Sequence, residues 1–152
     1  MAETQVSALE RLLIIQECTQ LIARFAERND ARDADALADM FVEDGVFMRP
    51  TAPDAPVRGR EAIREQFRAR PPNKLTRHVC ANTVVTVKST IEATAHSYIL
   101  LFTATLMDGA VMPVKADAKQ LLGAYDDRIV RDADGVWRFR ERRGSLSMTV
   151  GG

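Results

Sequence analysis

The pattern of this chain predicts an α+β domain: about three N-terminal helices packed on a strongly bent, mainly antiparallel sheet that wraps around a cavity. Three observations lead there. Helical periodicity is confined to the first half of the chain. Extended segments rich in Val, Ile and Thr fill the second half. The 152 residues contain no repeat, low-complexity tract or linker, so residues 1–152 are read as one domain.

The first helix is expected from Ser7 to about Arg28. Ser7 with Glu10 three residues later makes a capping box, and Leu9, Leu13, Cys18, Leu21, Ile22 and Phe25 form an apolar stripe. Asn29-Asp30 ends it. A second helix runs from about Asp33, its N-cap, to Val42, with Leu37, Met40 and Phe41 at i, i+3 and i+4. Glu43-Asp44-Gly45 breaks that helix, and Val46-Phe47-Met48 reads as a short strand. Pro50, Pro53 and Pro56 mark a loop. A third helix, carrying Ala62, Ile63, Gln66 and Phe67, then follows Arg58-Gly59-Arg60 and stops at Pro71-Pro72. Four long strands are expected over about 75–88, 92–106, 119–131 and 136–149, with a longer loop over 107–118. A bent sheet closed at one end by a helix leaves a pocket lined by alternate strand residues.

Composition narrows the function classes. Twenty-one basic residues balance 21 acidic ones, so no global field draws the chain to nucleic acid or to an anionic membrane. No segment approaches a membrane span, and MAETQVSALERL lacks a basic region followed by an apolar run. A cytoplasmic location is the default expectation. Cys18 and Cys80 stand far apart without a CxxC or His-rich neighbourhood, so neither a zinc site nor a disulfide framework is expected. Gly-rich phosphate loops, GxSxG and HExxH are all absent. No cofactor or metal is anticipated.

Three places carry chemistry. His78, on the first long strand, shares a face with Cys80, Asn82 and Val84 by alternation, and its ordinary pKa suits a general base. A half-buried, hydrogen-bonded histidine with no catalytic task is the plainer reading. Asp30 follows the first helix, where a turn aspartate is commonplace. It matters if it meets one imidazole nitrogen, fixing the tautomer and raising the basicity of the other. Finally, Arg138-Phe139-Arg140-Glu141-Arg142-Arg143 places Arg142 opposite Phe139 by strict alternation. Arg142 turns toward the cavity only if the strand bulges between them. His96 is expected to face outward with Thr94 and Tyr98, and a nucleophilic role for Cys80 is disfavoured because i and i+2 on a strand lie about 7 Å apart.

Four strings together, RNDARDADALADMFVEDGVF, VRGREAIREQF, TRHVCANTVVTV and GAYDDRIVRDADGVWRFRERR, resemble the SnoaL-like branch of the NTF2-like superfamily over nearly the whole chain. Within it the chain looks closest to scytalone dehydratase, bile-acid 7α-dehydratase and hexachlorocyclohexane dehydrochlorinase, cofactor-free lyases that use an Asp–His pair. The resemblance implies an NTF2-like cone with Asp30 and His78 as catalytic pair and Arg142 at an active-site arginine. It also implies that Phe25, Phe47 and Tyr125 line the cavity, with Phe25 standing near where the dehydratases carry a tyrosine. Asn82 and Ile99 complete the expected substrate contacts. Two functions follow as expectations. One is a lyase or isomerase acting on a small, largely apolar cyclic substrate. The other is a non-catalytic ligand-binding or association domain. A homodimer or homotrimer is expected, because an apolar outer sheet face is costly to leave wet.

Overall fold

The computed structural model describes residues 5–152. Residues 1–4, part of the segment read as lacking a secretory signal, lie outside the described residues. Helix α1 (Ala8–Asp30) begins with the expected capping box, in which the Ser7 hydroxyl accepts from the Glu10 amide and the Glu10 carboxylate accepts from the Ser7 amide. Its buried stripe is Ile14, Cys18, Leu21, Ile22 and Phe25, whereas Leu9, Leu12 and Leu13 are exposed. The first turns of α1 therefore overhang the core, and the expected stripe is corrected at its N-terminal end. Helix α2 (Ala34–Asp39) is shorter than expected because Phe41 and Val42 leave it to start strand β1 (Phe41–Arg49).

The proline-rich segment is not a plain loop. Strand β2 (Ala52–Arg58) pairs antiparallel with β1 through Val46–Arg58, Phe47–Val57 and Arg49–Ala52. It is the edge of the sheet, where Pro53 and Pro56 cost no ladder bonds to a further strand. After α3 (Arg60–Arg68) come β3 (Lys74–Val87), β4 (Glu92–Thr105), β5 (Gln120–Arg131) and β6 (Trp137–Val150). The six strands lie in the order β2-β1-β6-β5-β4-β3, antiparallel throughout except for the β1–β6 pair. This is the cone of an NTF2-like α+β fold.

The core fills the concave side, against the helices. Phe25 is its hub, meeting Phe41, Phe47, Phe67, Tyr125 and Phe139 edge-on with ring centroids 5.7–6.3 Å apart. Among the described residues no helix is long and apolar enough to cross a membrane.

Candidate active site

The end of α1 and the start of β3 bring Asp30 to His78. Asp30 Oδ1 lies 2.5 Å from His78 Nδ1 and also accepts from the Thr76 hydroxyl at 3.0 Å. Its Oδ2 accepts from the His78 amide at 2.9 Å. Burial pushes the Asp30 carboxyl up, but the bonds from the His78 side chain and backbone, with Thr76, outweigh it and hold the group below the usual carboxylate range. Such an aspartate stays ionised and asks for a proton on Nδ1. Nε2 makes no hydrogen bond to protein among the described residues.

His78 lines a cavity of about 220 Å³ whose walls come from every layer of the fold. Phe47 enters from β1, Phe67 from α3, Ile99 and Leu101 from β4, and Leu121 and Tyr125 from β5. Its volume lies somewhat under the usual range for ligand pockets, which suits a small, compact guest. Burial raises the Tyr125 phenol to about 12 against the opposing pull of Arg142, so it remains an O–H donor. A larger cleft of about 570 Å³ runs between α1 and the β5–β6 turn. It is lined by Glu10, Glu17, Arg24 and Arg131 and contains neither member of the Asp–His pair.

The other expected contacts divide. Phe47, Tyr125 and Ile99 line the cavity beside His78. Phe25 does not: it is buried as the core's hub, one layer beneath the cavity wall. Arg142 does turn inward. The ladder to β5 slips where Ile129 pairs with Phe139 but Arg128 with Glu141, so Arg140 is the extra residue and the alternation reverses past it. Arg142 is nevertheless fully buried behind the wall. It donates to Asp127 at 2.6 Å, and its guanidinium lies 3.8 Å from the centre of the Tyr125 ring and 4.5 Å from that of Phe25. Burial raises the Asp127 carboxyl to about 6 although Arg142 pulls it down.

Asn82 is corrected outright. It is exposed, at φ 52°, inside an irregularity where the register between β3 and β4 shifts from Ala81 to Val84. That shift moves Thr83, Val85 and Val87 inward and leaves Val84 on the outside, so Asn82 and Val84 do not share the His78 face. His96 is exposed, with Nδ1 2.7 Å from Asp126.

Residues overlooked at the sequence level are Thr76, Asp127, Arg49 and Arg70. Alternation offered a signal for the first two, since Thr76 stands two before His78 and Asp127 two after Tyr125. Nothing local marks Arg49 and Arg70, which the β1–β2 turn and the end of α3 carry to the cavity. Among the described residues no group of three or more His, Cys, Asp or Glu is placed to hold a metal ion.

A family model described as a SnoaL-like domain matches residues 10–143. No curated protein matches the chain. Among solved structures it is similar to a putative scytalone dehydratase from Novosphingobium aromaticivorans, at TM-score 0.80 and 22% identity, over 96% of this chain and 92% of that one. A type 2 hexachlorocyclohexane dehydrochlorinase aligns at TM-score 0.78 and 18% identity, over 96% and 93% of the two chains. An NTF2-like protein with a cystatin-like fold, also from N. aromaticivorans, aligns at TM-score 0.69 and 27% identity, over 91% and 86%.

Proposed function

Because the chain belongs to the SnoaL-like domain family, we propose that it is a cofactor-independent lyase or isomerase acting on a small, largely apolar cyclic substrate. The observation that carries this reading is the Asp30–His78 hydrogen bond of 2.5 Å on Nδ1, with His78 lining a half-open, mostly apolar cavity. With the proton of the neutral ring on Nδ1, the Nε2 lone pair is the base. It takes a proton from a carbon next to an activating group, and Asp30 stabilises the imidazolium that forms. The Tyr125 hydroxyl is a protonated donor in the wall for an oxygen that gains charge or leaves. Arg142, packed behind the Tyr125 ring, acts on the phenol by its charge, which opposes the upward push of burial. For a lyase, loss of the β-substituent with its bonding pair completes the elimination. For an isomerase, the imidazolium returns the proton to a different carbon.

Two relatives in structure bear the names dehydratase and dehydrochlorinase, which is in keeping with proton abstraction of this kind. The rival reading, a binding or association domain, treats Asp30 only as the clasp that fastens the end of α1 to β3. The experiment is proton exchange in D2O. A panel of small cyclic ketones and phenolic ketones is incubated with the protein, and loss of the acidic C–H signal is followed by NMR. Exchange is expected with the wild type and should fall ~10²–10⁴-fold in His78→Ala. Binding shifts with no exchange for any member, or exchange indifferent to His78→Ala, would leave the binding domain standing instead.

A further inference from the structure

The charge on the cavity wall is one-sided. Two guanidinium groups, Arg49 from the β1–β2 turn and Arg70 from the end of α3, line it, and no carboxylate does. Asp30 is close by, but both of its oxygens are already occupied by Thr76 and His78. Arg49 is exposed and its side chain makes no hydrogen bond or ion pair among the described residues.

Arg70 is half-buried and held in place. Its two terminal nitrogens donate to the Asn29 side-chain and main-chain oxygens, the latter at 3.0 Å, and its guanidinium lies 5.4 Å from the centre of the Phe67 ring. All of these partners are neutral. Its Nε is buried with no hydrogen-bond partner among the described residues. Two further charges act on it, a cation and an anion: Arg32, which donates to the Arg70 carbonyl at 3.0 Å, and the Asp30 carboxylate. Burial, then Arg32, lowers the Arg70 pKa, and the opposing pull of Asp30 does not make this good.

The neighbouring arginines of α3 are treated otherwise. Arg64 meets Asp35, Asp39 and Glu61, and Arg68 meets Asp35 and Glu65. A guanidinium taken partly out of water costs free energy unless an anion compensates it. Here Asp30 acts on Arg70 only through space, and among the described residues no carboxylate bonds to the guanidinium of Arg70 or of Arg49.

Resting on the reading of this cavity as the ligand site, we infer that Arg49 and Arg70 form an anion-binding pole, and that the ligand is a small apolar ring compound bearing a carboxylate. The planar guanidinium fork matches a carboxylate in geometry as well as charge. The apolar body then lies against Phe47, Ile99, Leu101 and Leu121, with its reactive carbon toward His78.

The test uses matched pairs of carboxylic acid and primary amide: benzoate and benzamide, cyclohexanecarboxylate and its amide, 2-naphthoate and 2-naphthamide. Dissociation constants are measured by NMR titration at neutral pH and low salt. At least one acid is expected to bind ~10-fold or more tightly than its amide, the gain typical of a charge-assisted hydrogen bond. Arg49→Gln, which breaks no side-chain hydrogen bond or ion pair among the described residues, should cut that preference severalfold, the acid losing more affinity than the amide. Arg70→Gln should do likewise, with a spectrum of the folded protein as control. Equal binding of acid and amide, or a preference that survives both substitutions, overturns the anion pole. His78-dependent exchange on neutral substrates would then still uphold the catalytic proposal. Absence of binding by every pair overturns the pole together with the cavity's role in binding. An acid preference without any proton exchange upholds the pole and defeats only the catalytic proposal.

Discussion

Asp30 spends three hydrogen bonds on two oxygens, which makes it both a clasp and an electrostatic anchor. Asp30→Asn keeps the shape but turns an NH2 toward at least one of those donors. Unfolding in urea should show a loss of about 1–3 kcal/mol, the cost of an unsatisfied polar group, together with loss of His78-dependent exchange. The pH dependence has a definite sign. A carboxyl held below its ordinary value adds stability that is present above the normal carboxylate range and is lost as pH falls through the depressed value. Denaturation midpoints of the wild type should therefore drop more steeply in acid than those of Asp30→Asn. The Arg142–Asp127 pair makes the opposite case. Removing one partner of a buried pair leaves a stranded charge, so Arg142→Met should cost about 3–5 kcal/mol, while Arg142→Met with Asp127→Leu should recover most of it. With Arg142 gone, the main restraint on the upward push of burial on Asp127 is lost and only the smaller pull of His96 remains. A raised folded value favours stability at low pH and loses it as pH rises, so the deficit of Arg142→Met should be smaller at pH 5 than at pH 8.

Among the elements, two irregular strands decide what faces the cavity. In β6 the extra residue Arg140 turns Arg142 inward, and in β3 the irregularity at Asn82 turns Thr83, Val85 and Val87 inward. Asn82 holds a left-handed backbone at φ 52°, which Asn tolerates and a β-branched residue does not. Asn82→Val should cost about 1–2 kcal/mol in urea melts, and Asn82→Gly should be nearly neutral. Equal effects would mean that the side chain, rather than the backbone, does the work there. Gly144 shows a close approach of a different kind, since a Cβ there would meet Pro50 at 2.5 Å. Its missing side chain lets the β1–β2 turn close against β6 beside the cavity.

For the whole molecule, the sheet divides two environments. Val79, Leu100, Leu122 and Met148 sit opposite one another across β3, β4, β5 and β6, so they share the outer face. Val79 and Met148, with Tyr98 beside them, are exposed. Such a row is costly to leave wet, and sedimentation equilibrium should report a homodimer or homotrimer, as proposed for this chain. Tyr98→Lys combined with Val79→Lys should shift it toward monomer without lowering the melting temperature of the monomer. An unchanged mass would move the interface elsewhere, with the exposed Leu9, Leu12 and Leu13 of α1 as the next surface to substitute.

Much of this was written locally. Capping at Ser7, the apolar period of α1 from Cys18 onward and the alternation of β3 and β6 up to their irregularities all follow from rules that act over a few residues, whereas the pairing of Asp30 with His78 was an expectation of the family resemblance. Local too is the resemblance in the four strings that named the fold. What only the tertiary structure decided are the features in which a short-range rule is overruled from a distance. Strand β2 forms despite its prolines because an edge strand needs partners on one side only. Arg142 faces inward because one residue is inserted in its ladder, and it is then covered by Tyr125, a contact between residues far apart in sequence. Arg49 and Arg70 look like ordinary surface arginines in the string of letters. They become a cationic wall only when a turn and a helix end, separated by some twenty residues, close around one cavity that no carboxylate lines.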